Sequence, residues 1–323
     1  MSLWLAENAT PPARRYTRRI IVCNQKGGVG KTAVAAGVAA ACAEGSDLKV
    51  LVASQKMTLL EDLEAADVDL DDVQIQDLDE VHPGLGLRVL LVDYDPQGHL
   101  TSQLGIPQIP AKQPSLAKYM AGTVQQGSAK DLIVTVADDR FGGRLDVLPS
   151  CADAFLLDIM ISTDRNRQAT LERVLKPLEA EYDAIVIDCP PSLGVGMDAA
   201  IYYGRRRPDE EPNNSGVLVP VQAEDSSADA FELLIEQIDD GQADWNIEVD
   251  HLGLVVNLYD ARDGYVVTSS LNAWRAVGEP RVIGVIARLK DQREAVRNKK
   301  ALLSYAPNSQ QAKVIRRIVR EFV

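Results

Sequence analysis

Nine residues constrain this chain more than any others: Asn24-Gln25-Lys26-Gly27-Gly28-Val29-Gly30-Lys31-Thr32. An apolar run, Ile20 to Cys23, precedes them, and an alanine-rich run of high helix propensity, Ala33 to Ala43, follows. Strand, glycine-rich turn and helix in that order make a cradle for an anion. The glycines let backbone N–H groups turn toward a phosphate. The helix N-terminus adds its partial positive charge. Lys31 is placed to reach β- and γ-phosphates, and the Thr32 hydroxyl to ligate Mg²⁺. Gly27, Gly28, Val29, Gly30, Lys31, Thr32 and Ala33 are therefore the expected nucleotide-binding residues.

The rest of the chain supplies a sheet for this unit to stand in. Apolar runs predict strands at Leu48–Ala53, Leu87–Asp93, Leu132–Val136, Leu145–Cys151, Asp183–Asp188, Val217–Gln222 and His251–Asn257. Helices are expected at Thr58–Ala66, Ser115–Ala121, Ala169–Tyr182 and Ala228–Ile238, with Pro177 disturbing the third. Strands alternating with helices predict an α/β fold, a doubly wound, mostly parallel sheet with helices on both faces. Asp93, Asp95 and Asp188 stand at or just beyond the C-terminal ends of their strands, where open α/β sheets bind ligands.

One substitution narrows the reading. Lys26 stands where the usual phosphate-loop pattern has its first glycine, so KGGVGKT resembles the deviant Walker A motif. That motif belongs to the P-loop family containing the ParA partition ATPases, MinD and the nitrogenase iron protein. Asp93-Tyr94-Asp95-Pro96-Gln97-Gly98 resembles the family's DxDPQG signature, and Asp188-Cys189-Pro190-Pro191-Ser192-Leu193-Gly194 its Walker B continuation. Val217–Gln222, Leu258–Arg262 and residues 283–309 carry further matches; Ala287 and Val296 replace two family prolines.

The resemblance implies ATP hydrolysis with Mg²⁺. Lys26, Lys31 and Asp95 would be catalytic, Asp95 positioning the attacking water. Thr32, Asp93 and Asp188 would serve the metal, and Asn257 would contact the adenine. Lys26 would reach across a nucleotide-sandwich homodimer formed with ATP. The chain then reads as a plasmid or chromosome segregation ATPase that binds DNA non-specifically, answers to a centromere-binding ParB-like adaptor, and works in the cytoplasm on the nucleoid. The alternatives are a MinD-like membrane-associated positioning ATPase and an ATP-switched DNA-binding repressor. The first would use the amphipathic segment Ala312 to Val323; the second lacks room, since nineteen leading residues cannot form a helix-turn-helix domain.

Charge distribution bears on the DNA expectation. The chain carries a net −13 over 323 residues, which by itself repels nucleic acid. Its C-terminal stretch from Arg281 is strongly basic, and the resemblance puts Arg288, Arg293, Arg297, Lys299 and Lys300 at a DNA surface, with Lys313, Arg316, Arg317 and Arg320 following. Residues 1–19 read as a flexible basic arm and 20–323 as the ATPase domain. An acidic insertion is expected at about 45–86 and an exposed loop at about 204–215. The four cysteines, with no CxxC pair, argue against a zinc site. No apolar run is long enough to cross a bilayer, and no membrane partner is expected.

Overall fold

The protein is described from a computed structural model covering residues 16–53, 79–224 and 226–323. Its centre is β1 (Arg18–Val22), whose alternating side chains serve two different cores. Ile20 and Val22 face one layer of helices, Ile21 and Cys23 the other. A strand buried on both faces needs apolar residues at every position, which is why these runs do not alternate with polar ones.

Eight strands form one sheet in the order β10-β9-β8-β1-β7-β4-β6-β5. Beside β1 lie β7 (Ala184–Asp188) and β8 (Gly216–Val221), both parallel to it. β4 (Val89–Asp93) and β6 (Leu145–Leu148) continue one side; β9 (His251–Tyr259) and β10 (Val282–Ala287) continue the other. Only β5 (Val134–Thr135) runs antiparallel, at the edge. It is shorter than the strand expected at Leu132–Val136, because Ala129–Leu132 closes into a 3₁₀ turn with a Ser128–Asp131 capping box.

One face is covered by α1 (Lys31–Ala43), α2 (His99–Gln103), α9 (Lys290–Arg297), α10 (Leu302–Tyr305) and α11 (Gln310–Arg320). The other carries α3 (Leu116–Met120), α4 (Leu157–Ile161), α5 (Thr170–Leu175), α6 (Val195–Gly204), α7 (Ser226–Trp245) and α8 (Tyr265–Ala276). This is the doubly wound α/β architecture expected. The helix expected over Ala169–Tyr182 gives way at Lys176 to a 3₁₀ segment, Lys176–Glu181, with Pro177 in its first turn.

Two expectations are corrected. The basic arm does not extend to residue 19: Arg18 and Arg19 belong to β1, and residues 1–15 lie outside the described residues. Arg19 is buried because its guanidinium finds the Tyr203 carbonyl at 3.0 Å and the Glu210 carboxylate at 2.6 Å. That same Glu210 pulls the 204–215 loop inward, so the loop is exposed at its tip but anchored in the core. The strand expected at Leu48–Ala53 forms as β2 (Lys49–Ala53), inside the stretch read as an insertion, and pairs antiparallel with β3 (Asp79–Pro83) in a separate two-stranded sheet. Residues 54–78, including the helix expected at Thr58–Ala66, lie outside the described residues.

Candidate functional site

Parallel pairing brings the C-terminal ends of β1, β7 and β4 side by side. Val22 stands opposite Asp188, and Asp188 opposite Asp93. The loop expected to hold phosphates leaves β1 at this edge and runs into α1. Gly28 and Gly30 adopt φ of 81° and 84°, a region that costs other residues strain. At Gly30 the requirement is doubled, since a Cβ there would lie 2.1 Å from the amide nitrogen of Asn257. The α1 N-terminus has no side-chain cap and no acidic residue in its first turn, so its N–H groups are left open to an anion.

Asn257, expected at the adenine, supports the loop: its Nδ2 donates to the Val29 carbonyl at 2.9 Å. Asn24 performs a similar service, donating to Pro220 O at 2.7 Å and accepting from Lys26 N at 2.9 Å. The loop is thus held in shape from β8 and β9. Lys31 is largely buried and donates to the Lys26 carbonyl at 2.9 Å. Burial lowers its pKa, with Asp188 the largest opposing influence.

Lys26 points elsewhere. Its Nζ contacts the Glu224 carboxylate at 2.5 Å and the Ser226 hydroxyl at 2.6 Å. Both partners lie beyond the end of β8, on the same chain. Neither was among the sequence-derived site residues; the Val217–Gln222 strand that leads to them was the available signal.

The carboxylates are electrostatically crowded. Neither oxygen of Asp188 has a hydrogen-bond partner of adequate geometry, although Thr32 stands close enough to favour its charged form. Burial, then the neighbouring Asp93, push the Asp188 pKa well up. Asp93 is pushed up to about 6, chiefly by burial. One Asp93 oxygen is unpaired; the other accepts from Thr101 N at 2.8 Å and from its hydroxyl at 2.5 Å. Thr101, which sequence reasoning missed, also accepts from Ser150 N at 3.0 Å, linking the ends of β4 and β6. Asp95 accepts from Gln97 N at 2.8 Å, and its carbonyl takes the Ser150 hydroxyl at 2.7 Å.

Buried carboxylate oxygens without donors, beside a threonine hydroxyl, suit a hard cation. Among the described residues no cluster of three or more His, Cys, Asp or Glu could hold a metal by itself. Mg²⁺ takes one or two carboxylates and fills its remaining positions with water and phosphate oxygens.

The residues expected at a DNA surface divide. Arg293, Arg297, Lys299 and Lys300 are exposed on α9 and the turn after it. Lys299 donates to the Ser102 hydroxyl at 3.1 Å. Arg288 is shared between Asp260 at 3.0 Å and Asp263 at 2.8 Å. Arg316 does not belong to a surface: it is buried against Glu44, with contacts of 2.6 and 2.7 Å. The apolar side of α11, the segment a membrane reading would use, is buried against α1, β2 and β10. No helix among the described residues is long and apolar enough to cross a membrane.

Comparison with known proteins agrees with this geometry. A family profile described as "AAA domain" matches residues 81–251, just over half the chain. A second, "CobQ/CobB/MinD/ParA nucleotide binding domain", matches residues 20–64. The chromosome partitioning protein ParA of Myxococcus xanthus is 28% identical over 76% of this chain and 66% of its own length. The sporulation initiation inhibitor Soj of Bacillus subtilis is 28% identical over 73% of this chain and 87% of its own. The chain spans 58 to 66% of the length of the relatives it matches first. McdA of Cyanothece, solved as an ATP complex, superposes with a TM-score of 0.67 at 17% identity, covering 95% of this chain and 96% of McdA. MinD of Pyrococcus horikoshii, solved with Mg-ADP, gives 0.62 at 21% identity, covering 94% and 95%. These likenesses establish the P-loop fold, and the chain belongs to the AAA domain family, among its ParA-type nucleotide-binding proteins.

Proposed function

We propose that this protein is a partitioning or positioning ATPase that hydrolyses ATP with Mg²⁺ to drive segregation of DNA. The observation that carries the reading is the juxtaposition of an open helix N-terminus, the buried Lys31 and the unpaired Asp188 carboxylate at one sheet edge. Lys31 and the loop N–H groups would take the phosphates. Thr32 and Asp188, with Asp93 behind them, would hold the cation, which when bound neutralises charge developing on the phosphates. Asp95 would orient the attacking water. The nucleotides in the McdA and MinD structures support this choice of ligand.

Two lysines five residues apart crowd a single triphosphate, and Lys26 turns away from its own loop toward Glu224. We read Lys26 as serving a partner copy's phosphates, so that ATP favours a dimer and hydrolysis dissolves it. Arg293, Arg297, Lys299 and Lys300 give that dimer a doubled basic surface for non-specific DNA. A centromere-binding ParB-like adaptor would then stimulate hydrolysis, with the protein cytoplasmic and bound to the nucleoid. Membrane attachment through α11 has no free apolar face to use.

Isothermal titration tests the site: Lys31→Ala should lose ATP binding, while Asp95→Ala should bind ATP and hydrolyse it poorly. The opposite pattern overturns the assignment. Fluorescence anisotropy on two unrelated duplexes tests the surface. Binding should fall steeply with salt as counterions are released, and Arg293→Glu with Arg297→Glu and Lys300→Glu should abolish it on both sequences. Binding that survives this reversal refutes the DNA surface.

A further inference from the structure

Three large apolar side chains stand exposed in one run after β6: Phe155 at 60%, Leu156 at 53% and Ile159 at 72%. The chain passes from a 3₁₀ turn, Ala152–Leu156, directly into α4, so Phe155 and Ile159 are one helical turn apart and share a face. Exposed apolar residues scattered singly need no explanation; a contiguous group does.

Its position is informative. β6 is the third strand from β1 in the order β1-β7-β4-β6, all parallel. At about 4.8 Å between strands, the end of β6 stands roughly 14 Å from that of β1 along the same C-terminal edge, and the chain beyond it turns back toward the segments after β4 and β7. Beneath the apolar group opens a groove of about 270 Å³, walled by Phe155, Asp95, Pro96, Pro190 and Pro191. The segments that carry the carboxylate sites therefore form the wall on which this apolar group rests.

We propose that Phe155, Leu156 and Ile159 form the apolar centre of the interface between two ATP-loaded copies of this chain. The inference rests on the dimer reading given above. Interfaces have an apolar core and a polar rim, and the rest of this edge is polar: Lys26 is partly exposed, and Gly27 and Gly28 offer bare backbone. The three side chains expose on the order of 300 Å² per copy, the size of patch that marks an interaction surface on a monomer. In a twofold interface the patch counts twice, giving roughly 600 of the ~1,600 Å² that a stable association buries. On the reading of Lys26 given above, a second copy would also bring the second triphosphate to this edge.

The test uses the full-length protein with a non-hydrolysable ATP analogue and light scattering over a concentration series. Ile159→Glu and Phe155→Glu should each weaken the dimer at least tenfold, with ATP binding to the monomer unchanged by titration. Val277→Glu, exposed at the opposite edge after α8, should dimerise normally. All four native cysteines are buried, so Ile159→Cys can carry an environment-sensitive fluorophore. Its emission should shift with the ATP analogue and not with ADP, at a midpoint that follows protein concentration. A wild-type protein that stays monomeric with the analogue overturns the dimer reading and this one with it. A wild-type dimer matched by an undiminished Ile159→Glu dimer overturns only the interface, and so does a charge variant that loses ATP binding. An Ile159→Glu dimer that loses only stimulation by an adaptor assigns the face to that adaptor and refutes the proposal.

Discussion

Arg316 and Arg317 are adjacent in sequence and chemically identical, yet replacing them should have very different consequences. The Arg316 side chain is 1% exposed and its partner Glu44 is 0% exposed. Its guanidinium donates to both Glu44 oxygens, at 2.6 and 2.7 Å, and to the carbonyls of Leu51 at 2.8 Å and Pro307 at 2.7 Å. Arg316→Met leaves Glu44 with Arg140 as its remaining cation, at 2.7 Å and near the surface. Breaking a buried pair from one side costs about 3–5 kcal/mol, because the surviving charge stays desolvated. Arg317 is 19% exposed and pairs with Glu321 one turn along α11; losing such a contact costs below about 1 kcal/mol. Urea unfolding followed by circular dichroism should show a large fall in midpoint for Arg316→Met and little for Arg317→Met. Adding Glu44→Gln to Arg316→Met should recover part of the loss by removing the stranded charge. Equal midpoints for the two arginine variants, or no recovery in the double variant, would refute the reasoning.

Other expectations follow from the site and its supports. Lys26→Gln should bind ATP yet form no ATP-dependent dimer by light scattering; an unchanged dimer would show that Lys26 serves only its own loop. Gly30→Ala should lower the melting temperature and abolish nucleotide binding, since it combines a left-handed φ with a collision against Asn257, whereas Gly27→Ala, with open space around its Cβ, should be tolerated. His251 is held below its ordinary 6.5 chiefly by burial, against the pull of Asp239, Asp250 and Glu279. The unfolded chain therefore binds the extra proton first as pH falls below 6.5. Stability should decline in that window by up to about 1.4 kcal/mol per pH unit from this group, and His251→Gln should flatten that part of a pH series of melting curves.

What was legible in the sequence is what depends on short range. The loop from Asn24 to Thr32 declares its own geometry, because glycine spacing, strand and helix are all local. Asp93, Asp95 and Asp188 could be placed at strand ends because apolar runs mark where strands stop. The partners of those groups were not legible, because they come from afar. Lys26 meets Glu224 across 198 residues and Arg316 meets Glu44 across 272, and no periodicity links such positions. Arg316 was misread for a related reason: on an amphipathic helix a basic residue beside apolar ones reads as a polar face, unless its counter-charge is seen inside. β5 shrank to two residues because a capping box, a local competitor, closed the preceding turn first.

The junction where the acidic segment leaves and rejoins the domain has an architectural consequence. Gly84 N–H donates to Leu48 O at 3.0 Å, Gly86 N–H to Glu44 O at 2.7 Å, and Leu87 N–H to Cys42 O at 3.0 Å. Gly84 approaches Gly45 so closely that a Cβ there would lie 2.2 Å from its carbonyl oxygen. Departure and return thus share one doorway, clamped on its far side by Arg316 and Arg320 through the Leu51 and Pro83 carbonyls. A doorway of this kind works as a grafting port. Doubling the length of chain threaded through it costs only about 0.6 kcal/mol of closure entropy, so the nucleotide machinery and the appended sequence can diverge independently. A fluorescent domain spliced between Ala53 and Asp79 should accordingly leave ATP binding intact.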